Sequence, residues 1–199
     1  MKKSIYLLRH CDYDNPKKIL PGRLPVPLSS KGIEQANLLK EYFADKSIAN
    51  IYSSAVERCK QTAQIIADNK IPIIFDKRIL ETLSAYQGYW GENHHENGYH
   101  FFSHIQELGG EGLANLKLRV SDFWNEIIPE IKENTLICSH GDPLQVLYSH
   151  IHNLPLVDDN EVETNIPGWM EKGEFIELIF KGEKLIETKK PLQLSPQLR

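Results

Sequence analysis

The chain has 199 residues, 41% hydrophobic and 25% charged, a balance typical of a globular protein and not of a disordered, collagen-like or disulfide-stapled one. Its 23 Lys and Arg against 27 Asp and Glu give a net charge of −4, and no stretch concentrates basic residues, so we expect no nucleic-acid partner. The length favours one domain with an inserted lobe.

Short apolar runs alternate with segments of helical periodicity along the chain. In chain order, the predicted elements are a strand at residues 4–8, a helix from Ser29 or Ser30 to about Asp45, a strand at 50–53, a helix from Ser54, a strand at 71–75, a helix at 113–131 bent near Pro129, a strand at 135–139, a helix at 142–151, and a strand pair at 175–180 and 185–188. This alternation predicts an α/β three-layer sandwich, in which helices flank a mainly parallel central sheet.

Two helix starts carry recognisable capping patterns. Ser54 followed by Glu57 is a capping-box spacing, which places Arg58 in the first turn of the second helix. Asp142 and Pro143 predict the start of a later helix, with Asp at the N-cap and Pro at the first helical position.

Residues 86–112 break the alternation because they are rich in glycine, aromatic residues and histidine. We expect this segment to form an irregular cap over one end of the sheet, within a single domain of residues 1–199. Histidines that invite a metal-site interpretation are His94, His95, His100 and His104. No H-E-x-x-H motif accompanies them, so we favour a polar and aromatic substrate cover and expect no metal.

The chain shows no sign of export or of membrane insertion. Cys11, Cys59 and Cys138 cannot all pair with one another and lack metal-type spacing, which favours a reducing compartment. Arg9 and His10 interrupt the first apolar run well before the length of a signal peptide or a membrane span. We therefore expect a cytoplasmic protein without a membrane partner.

Charged and ring side chains follow three of the predicted strands, at the edge where ligands collect in such sheets. The segments concerned are Arg9-His10, the helix start from Ser54 to Arg58, and Ser139-His140-Gly141. Arginine binds phosphate bidentately, and helix N-termini present amides to anions. A neutral imidazole could attack phosphorus while the other groups neutralise the oxygens. The pattern therefore predicts a site for a phosphoryl group.

Several blocks of the sequence resemble the histidine phosphatase (phosphoglycerate mutase-like) superfamily, in the branch with an R-H motif and a separate glutamate acid. The matching residues are Arg9-His10-Cys11-Asp12, Gly22-Arg23 before Pro27-Leu28-Ser29 and Gly32, residues 52–63 (YSSAVERCKQTA), Leu80-Glu81, and Ser139-His140-Gly141. The resemblance extends from Ile5 to about Leu147 and implies a phosphoglycerate mutase-like fold.

The resemblance also implies roles for individual residues. His10 would be the nucleophile that becomes a phosphohistidine, Glu81 would protonate the leaving oxygen and then activate water, and His140 would complete the catalytic set. The substrate phosphate would be bound by His140 and by Arg9, Arg58, Asn15 and Arg23. Glu92 and Asp142 are the alternatives to Glu81 as the acid. The family requires no metal and no cofactor.

Three functions are compatible with this pattern. The first is a phosphatase that hydrolyses a phosphate monoester, either a small phosphorylated metabolite or a phosphoprotein. The alternatives are a phosphoryl transfer of the phosphoglycerate mutase type and a catalytically weak phosphate-binding sensor or scaffold. A homodimer is one candidate assembly.

Position 11 departs from the family pattern, since Cys11 replaces a nearly invariant glycine beside the nucleophile. Tyr13 and Pro25 are further departures. One interpretation is a thiolate stabilised by the nearby positive charges, which would make the enzyme sensitive to oxidation. The other is a small buried hydrophobic residue beneath the loop.

Overall fold

The computed structural model describes residues 2–89, 107–155 and 170–195. The strands in this part of the chain are β1 (Lys2–Arg9), β2 (Ile48–Ser53), β3 (Ile73–Phe75), β4 (Asn134–Ser139), β5 (Glu174–Lys181), β6 (Lys184–Thr188) and β7 (Leu192–Gln193). The helices are α1 (Ser30–Phe43), α2 (Glu57–Ala67), α3 (Leu113–Ile127) and α4 (Gly141–His152), with a 3₁₀ turn at Lys77–Ile79.

One sheet joins all of these strands, in the order β3-β2-β4-β1-β5-β6, with β7 paired to β5. The neighbours β3, β2, β4 and β1 run parallel, whereas β5, β6 and β7 pair antiparallel. The α/β prediction with a mainly parallel sheet is therefore confirmed. Strand β7 has no signal in the sequence, because two residues are too few for a periodic pattern.

Successive side chains of β1 enter two different cores, because neighbouring residues of a strand point to opposite faces of the sheet. Ile5 and Leu7 pack in the core that α3 and α4 cover. Tyr6 and Leu8 pack in the core that α1 and α2 cover. This explains why the strand reads as a continuous apolar run: both of its faces are buried.

Both helix starts discussed above begin differently from the prediction. Helix α2 begins at Glu57 with Val56 as N-cap, and no side chain caps it. The Ser54 hydroxyl instead lies 2.8 Å from His140 Nε2. Helix α4 begins at Gly141 with His140 as N-cap, and the Asp142 carboxylate accepts a hydrogen bond from a loop residue rather than from its own helix. The placement of Arg58 in the first turn of α2 is confirmed.

Other local predictions have mixed outcomes. Ser29 caps α1 as predicted, since its Oγ accepts a hydrogen bond from Gly32 N at 3.0 Å. Helix α3 ends at Ile127, two residues before Pro129, and does not continue to 131. Proline has no N–H to donate and its ring clashes with the preceding turn, which ends the helix instead of bending it.

The predicted cap at 86–112 falls largely on residues 90–106, which lie outside the described residues, so both the cap and the single domain stay predictions. In the part of the chain that the structure describes, no helix is long and apolar enough to cross a membrane.

Candidate active site

The carboxyl ends of β1 and β4 open onto a cavity of about 180 Å³. These parallel strands pair Arg9 with Ser139, so the residues that follow them meet at one edge of the sheet. The lining residues are Arg9, His10, Tyr13, Leu20, Pro21, Gly22, Arg58, Glu81, Thr82, Gly141 and Asp142. The structure thus brings together five residues that the sequence predicted separately, counting His140 directly behind this wall.

His10 is held in a single tautomer. Its Nδ1 lies 2.8 Å from the carbonyl oxygen of Cys11, which can only accept, so Nδ1 carries the proton. Its Nε2 accepts a hydrogen bond from Arg58 Nε at 3.0 Å. Burial, reinforced by the charges of Arg58 and Arg9, holds the pKa of His10 well below 6.5. His10 is therefore a neutral imidazole with a lone pair on Nε2.

Arg58 connects the other groups of the site and is only 1% exposed. Besides His10, its guanidinium donates through Nη2 to Gly22 O at 2.9 Å and to His140 Nδ1 at 2.9 Å. Its Nη1 has no hydrogen-bond acceptor within the described residues. A buried guanidinium N–H without an acceptor is suited to an anionic oxygen bound in the cavity.

His140 lies behind the cavity wall, edge-on to His10 with ring centroids 5.2 Å apart. Its Nδ1 accepts from Arg58, so Nε2 carries the proton and donates to Ser54 Oγ at 2.8 Å. Complete burial, followed by the charge of Arg58, holds its pKa well below 6.5. His140 is neutral and fixed in orientation, as a group that supports Arg58 and His10 must be.

Glu81 follows the 3₁₀ turn and brings a carboxyl group to the same cavity. Its Oε2 lies 3.3 Å from Arg58 Nη2 and 3.5 Å from His140 Nδ1, and Oε1 accepts from Thr82 N at 3.0 Å. Burial, and then the neighbouring Asp142, raise the pKa of Glu81 to about 7 although Arg58 opposes them. A carboxyl group with this pKa can both hold and release a proton near neutral pH.

Besides His140 behind the wall, two predicted phosphate-binding residues do not line the cavity in this structure. The Asn15 side chain closes its own loop, donating to Ile19 O at 2.8 Å and accepting from Ile19 N at 3.1 Å. Arg23 donates through Nε to the Glu81 carbonyl at 2.7 Å and pairs with Glu111 at 3.2 Å. Their predicted contact with phosphate has no support in this arrangement and stays a prediction. Arg9 does line the cavity, while its Nη1 donates to Met170 O at 2.6 Å.

Arg23 belongs to an ionic cluster beneath Glu81. Glu111 accepts from Arg119 Nε at 2.5 Å and Nη2 at 2.8 Å, and from Arg23 Nη2 at 3.2 Å. Arg119 also donates to the Glu81 carbonyl at 3.4 Å, and Glu111 accepts from Leu83 N at 3.3 Å. This Arg23–Glu111–Arg119 cluster holds the backbone of the loop that carries Glu81.

Cys11 contributes its backbone to the site, whereas its side chain packs elsewhere. The thiol is 0% exposed and packs in the core beneath α1 and α2. Burial raises its pKa to about 12, the opposite of the shift that a reactive thiolate requires. The structure corrects the redox interpretation and supports the buried-hydrophobe alternative.

Sequence reasoning missed the positioning roles of Ser54 and Thr82. Ser54 was interpreted as a helix cap, because the S-x-x-E spacing is a local signal whereas its partner His140 is 86 positions away. Thr82 has no sequence signal beyond its place after Glu81. Glu92 and the four histidines considered for metal lie outside the described residues. Within the described residues, no group of three His, Cys, Asp or Glu could hold a metal ion.

Comparison with known proteins agrees with this arrangement. The family model of the histidine phosphatase superfamily (branch 1) matches residues 5–166. A probable phosphatase of Schizosaccharomyces pombe is 29% identical over 153 residues, covering 74% of this chain and 72% of the relative. A probable phosphoglycerate mutase of Enterobacter sp. is 31% identical over 171 residues, covering 76% of each.

Solved structures show the same fold. The alpha-ribazole phosphatase from Shigella flexneri superposes with a TM-score of 0.76 at 22% identity, covering 92% of this chain and 93% of that one. The phosphoglycerate mutase-like architecture is thereby confirmed. The chain belongs to the histidine phosphatase superfamily, branch 1.

Proposed function

We propose that this protein is a phosphatase that hydrolyses phosphate monoesters through a phosphohistidine on His10. The observation that carries the proposal is the neutral His10, whose Nε2 lone pair faces Arg58 in a buried cavity. Relatives named as phosphatases support hydrolysis as the reaction.

In the first step, the phosphoryl oxygens lie among positive groups of the cavity wall. Arg58 Nη1 and Arg9 supply the charge, and Gly141 supplies its backbone N–H at the N-terminus of α4. Arg58 Nε transfers its hydrogen bond from His10 to a phosphoryl oxygen, which frees the Nε2 lone pair. Nε2 then attacks phosphorus, the P–O ester bond breaks, and Glu81 donates its proton to the leaving oxygen.

In the second step, Glu81 acts as the base. Its carboxylate takes a proton from water while the water oxygen attacks phosphorus and the P–N bond breaks. Inorganic phosphate leaves, His10 is again a neutral imidazole, and Glu81 is again protonated. A carboxyl group with a pKa of about 7 is suited to both proton transfers.

The dimensions of the cavity bear on the substrate. About 180 Å³ accommodates a phosphoryl group and a few further atoms, so the rest of the ester lies at or outside the mouth. Both substrate classes predicted from the sequence, a small phosphorylated metabolite and a phosphoprotein, are compatible with this volume. A phosphate-release screen over both classes distinguishes them.

Phosphoryl transfer of the mutase type is the second candidate, favoured by the relative named as a probable phosphoglycerate mutase. It shares the first step, but the phosphoryl group then passes to a second hydroxyl and not to water. Incubation with phosphoglycerates separates the two: a mutase interconverts the isomers, whereas a phosphatase releases inorganic phosphate.

A cytoplasmic location is part of the proposal and is supported by three free, buried cysteines.

The test compares the wild type with His10→Ala, using p-nitrophenyl phosphate and alkyl phosphates. We expect His10→Ala to abolish turnover, and Arg58→Ala to lose roughly 3 to 4 kcal/mol of transition-state stabilisation, as for loss of a principal oxyanion donor. Acid-labile phosphate should be trapped on the wild type and be absent from His10→Ala. His152→Ala is the matched control, because His152 binds Thr188 at the far end of α4. Near-normal activity in His10→Ala would refute the assignment.

Glu81→Gln tests the acid in the same assays. It should slow alkyl phosphates far more than p-nitrophenyl phosphate, whose leaving group hardly needs a proton. Equal loss on both substrates would exclude Glu81 as the acid, and the same comparison on Glu92→Gln examines the alternative.

A further inference from the structure

Asp142 is a carboxylate in the cavity wall that the reaction described above does not use. It lies in the first turn of α4, and its Oδ2 accepts a hydrogen bond from Thr82 Oγ1 at 3.0 Å. The backbone N–H of the same Thr82 donates to Glu81 Oε1 at 3.0 Å. One residue therefore holds both carboxyl groups, Glu81 through its backbone and Asp142 through its side chain.

The electrostatic setting of this pair is mixed. The charged and titratable groups around the two carboxyls are Arg9, His10, Arg23, Arg58, Glu111, Arg119 and His140. Arg58 and His140 contact Glu81 directly, and both histidines are neutral. Two carboxylates that share a poorly hydrated cavity disfavour simultaneous ionisation. The pair consequently retains one proton over a pH range in which a single exposed carboxyl would have lost it.

We propose that ionised Asp142, fixed by Thr82, is a positioning residue that keeps the catalytic proton on Glu81. The inference rests on the proposed phosphatase function and names a further residue of that site. The Thr82 hydroxyl stabilises the Asp142 anion because it can donate to it, which leaves the shared proton on Glu81. The pKa of Glu81 agrees in direction, since Asp142 follows burial among the causes that raise it. Burial raises the pKa of Asp142 as well, and the hydrogen bond from Thr82 opposes that rise.

This arrangement serves both halves of the reaction. In the first half, Glu81 arrives protonated and gives its proton to the ester oxygen. In the second half, Glu81 is an anion next to the Asp142 anion, and their repulsion makes Glu81 a stronger base toward water. Asp142 exchanges no proton in either step, so its effect passes entirely through Glu81.

The kinetic test is the pH profile of kcat/KM for Asp142→Asn with an alkyl phosphate. Loss of the Asp142 charge lowers the pKa of Glu81. The alkaline limb of the profile should therefore shift to a pH lower by about one unit, and kcat/KM at pH values above the limb should be about tenfold lower. p-Nitrophenyl phosphate should show a much smaller change. In a Glu81→Gln background, Asp142→Asn should have no further effect on the limb, because the group through which it acts is gone.

Thr82 provides a matched pair of variants. Thr82→Ser keeps the hydroxyl and should keep the wild-type limb, whereas Thr82→Val removes the donor to Asp142 and should move the limb in the same direction as Asp142→Asn. If Thr82 and Asp142 had a purely structural role, their variants would lower kcat/KM for both substrates equally and leave the alkaline limb in place. That result would overturn the proposal.

A second measurement is independent of turnover. The side-chain carboxyl carbon of Glu81, labelled with carbon-13 and assigned by its loss in Glu81→Gln, should titrate near pH 7 in the wild type and at lower pH in Asp142→Asn. An unchanged midpoint would refute the role of Asp142 even if the phosphatase assignment holds. Activity in His10→Ala would instead refute the phosphatase assignment. The titration would then still show whether Asp142 raises the pKa of Glu81.

Discussion

At the scale of single residues, position 11 serves the catalytic site with its backbone and the core with its side chain. The Cys11 carbonyl fixes the proton on His10 Nδ1, and the backbone N–H of Cys11 donates to Thr62 Oγ1 at 3.1 Å. Neither contact depends on the thiol. A residue with a side chain can therefore occupy this glycine position without entering the cavity, because the side chain points into the layer beneath α1 and α2.

We expect iodoacetamide to leave Cys11 unmodified in the native protein at pH 7.5. The thiol is fully buried and its pKa is raised to about 12, so almost no thiolate is available for alkylation. Intact-mass measurement before and after unfolding in urea checks this, and the unfolded chain is the control in which all three cysteines should react. Alkylation of the native chain at Cys11, or peroxide inhibition that phosphate prevents, would contradict it.

Residue types with strong intrinsic chemistry were predictable, and those defined by a distant partner were not. His10, Arg58 and His140 were identified because Arg and His at strand ends and in a first helical turn suit a phosphate. Ser54 and Arg23 were assigned other roles, because their local patterns cannot reveal a contact with His140 or with the Glu81 backbone. Such contacts depend on the sheet order, which periodicity does not specify.

At the scale of elements, helix α3 and the loop that carries Glu81 are joined through charge. Arg119 on α3 reaches both Glu111 and the Glu81 carbonyl, and Arg23 closes the cluster from another loop. The side chains of Glu111 and Arg119 are only 12% and 16% exposed, so their interaction is weakly screened by solvent. The position of Glu81 is therefore supported by an ion cluster whose residues do not line the cavity.

Glu111→Gln should destabilise the protein by about 2 kcal/mol, between the values for exposed and fully buried ion pairs, because two arginines then face an uncharged amide. Turnover of alkyl phosphates should fall more than that of p-nitrophenyl phosphate, since the loop that carries the acid loses its support. Urea unfolding and the two-substrate assay measure these effects. Glu126→Gln is the matched control, because Glu126 also pairs with an arginine, Arg78 at 2.7 Å, but is 69% exposed. Equal effects of the two variants on stability and turnover would show that the cluster does not support the loop that carries Glu81.

Strands and helices were predicted more reliably than their first residues. The continuous apolar run of β1 follows from burial of both its faces, and the apolar spacing in α3 follows from burial of one face. Helix starts are decided by which donor the capping side chain meets. At Ser54 and Asp142 that partner is a residue of another element, so the local capping rule failed.

At the scale of the whole molecule, the buried groups of the site give folding two opposite pH dependences. His10 and His140 are neutral when folded but bind protons when unfolded below pH 6.5, so their contribution to stability is lost as the pH falls. Glu81, with its pKa raised to about 7, stabilises the folded state at low pH and loses this contribution as the pH rises through 7.

Glu81→Gln should therefore expose the histidine contribution. When the pH falls from 7.5 to 5.5, each histidine that stays neutral in the folded state lowers the free energy of unfolding by about 1.4 kcal/mol. The free energy of unfolding of the variant should therefore fall by about 3 kcal/mol. The wild type should lose about 2 kcal/mol less over the same interval, because Glu81 gains stability there. Urea unfolding at the two pH values measures the difference, in which titrating groups outside the Glu81–Asp142 pair cancel. Equal pH dependence in both proteins would show that Glu81 is not protonated in the folded state.

The central place of β1 in the sheet has a consequence for how the protein acquires activity. The backbone N–H of Ser4 on β1 donates to Asn134 Oδ1 at the start of β4, 130 positions later, and Arg9 pairs with Ser139. The proposed nucleophile is thus synthesised long before its partner His140, which must be made and brought against β1 before the cavity exists. Closing so long a loop is slow, and until then the apolar run of β1 is exposed to aggregation. We therefore expect the activity of the proposed phosphatase to appear late in folding, so that its onset during refolding reports the pairing of β1 with β4.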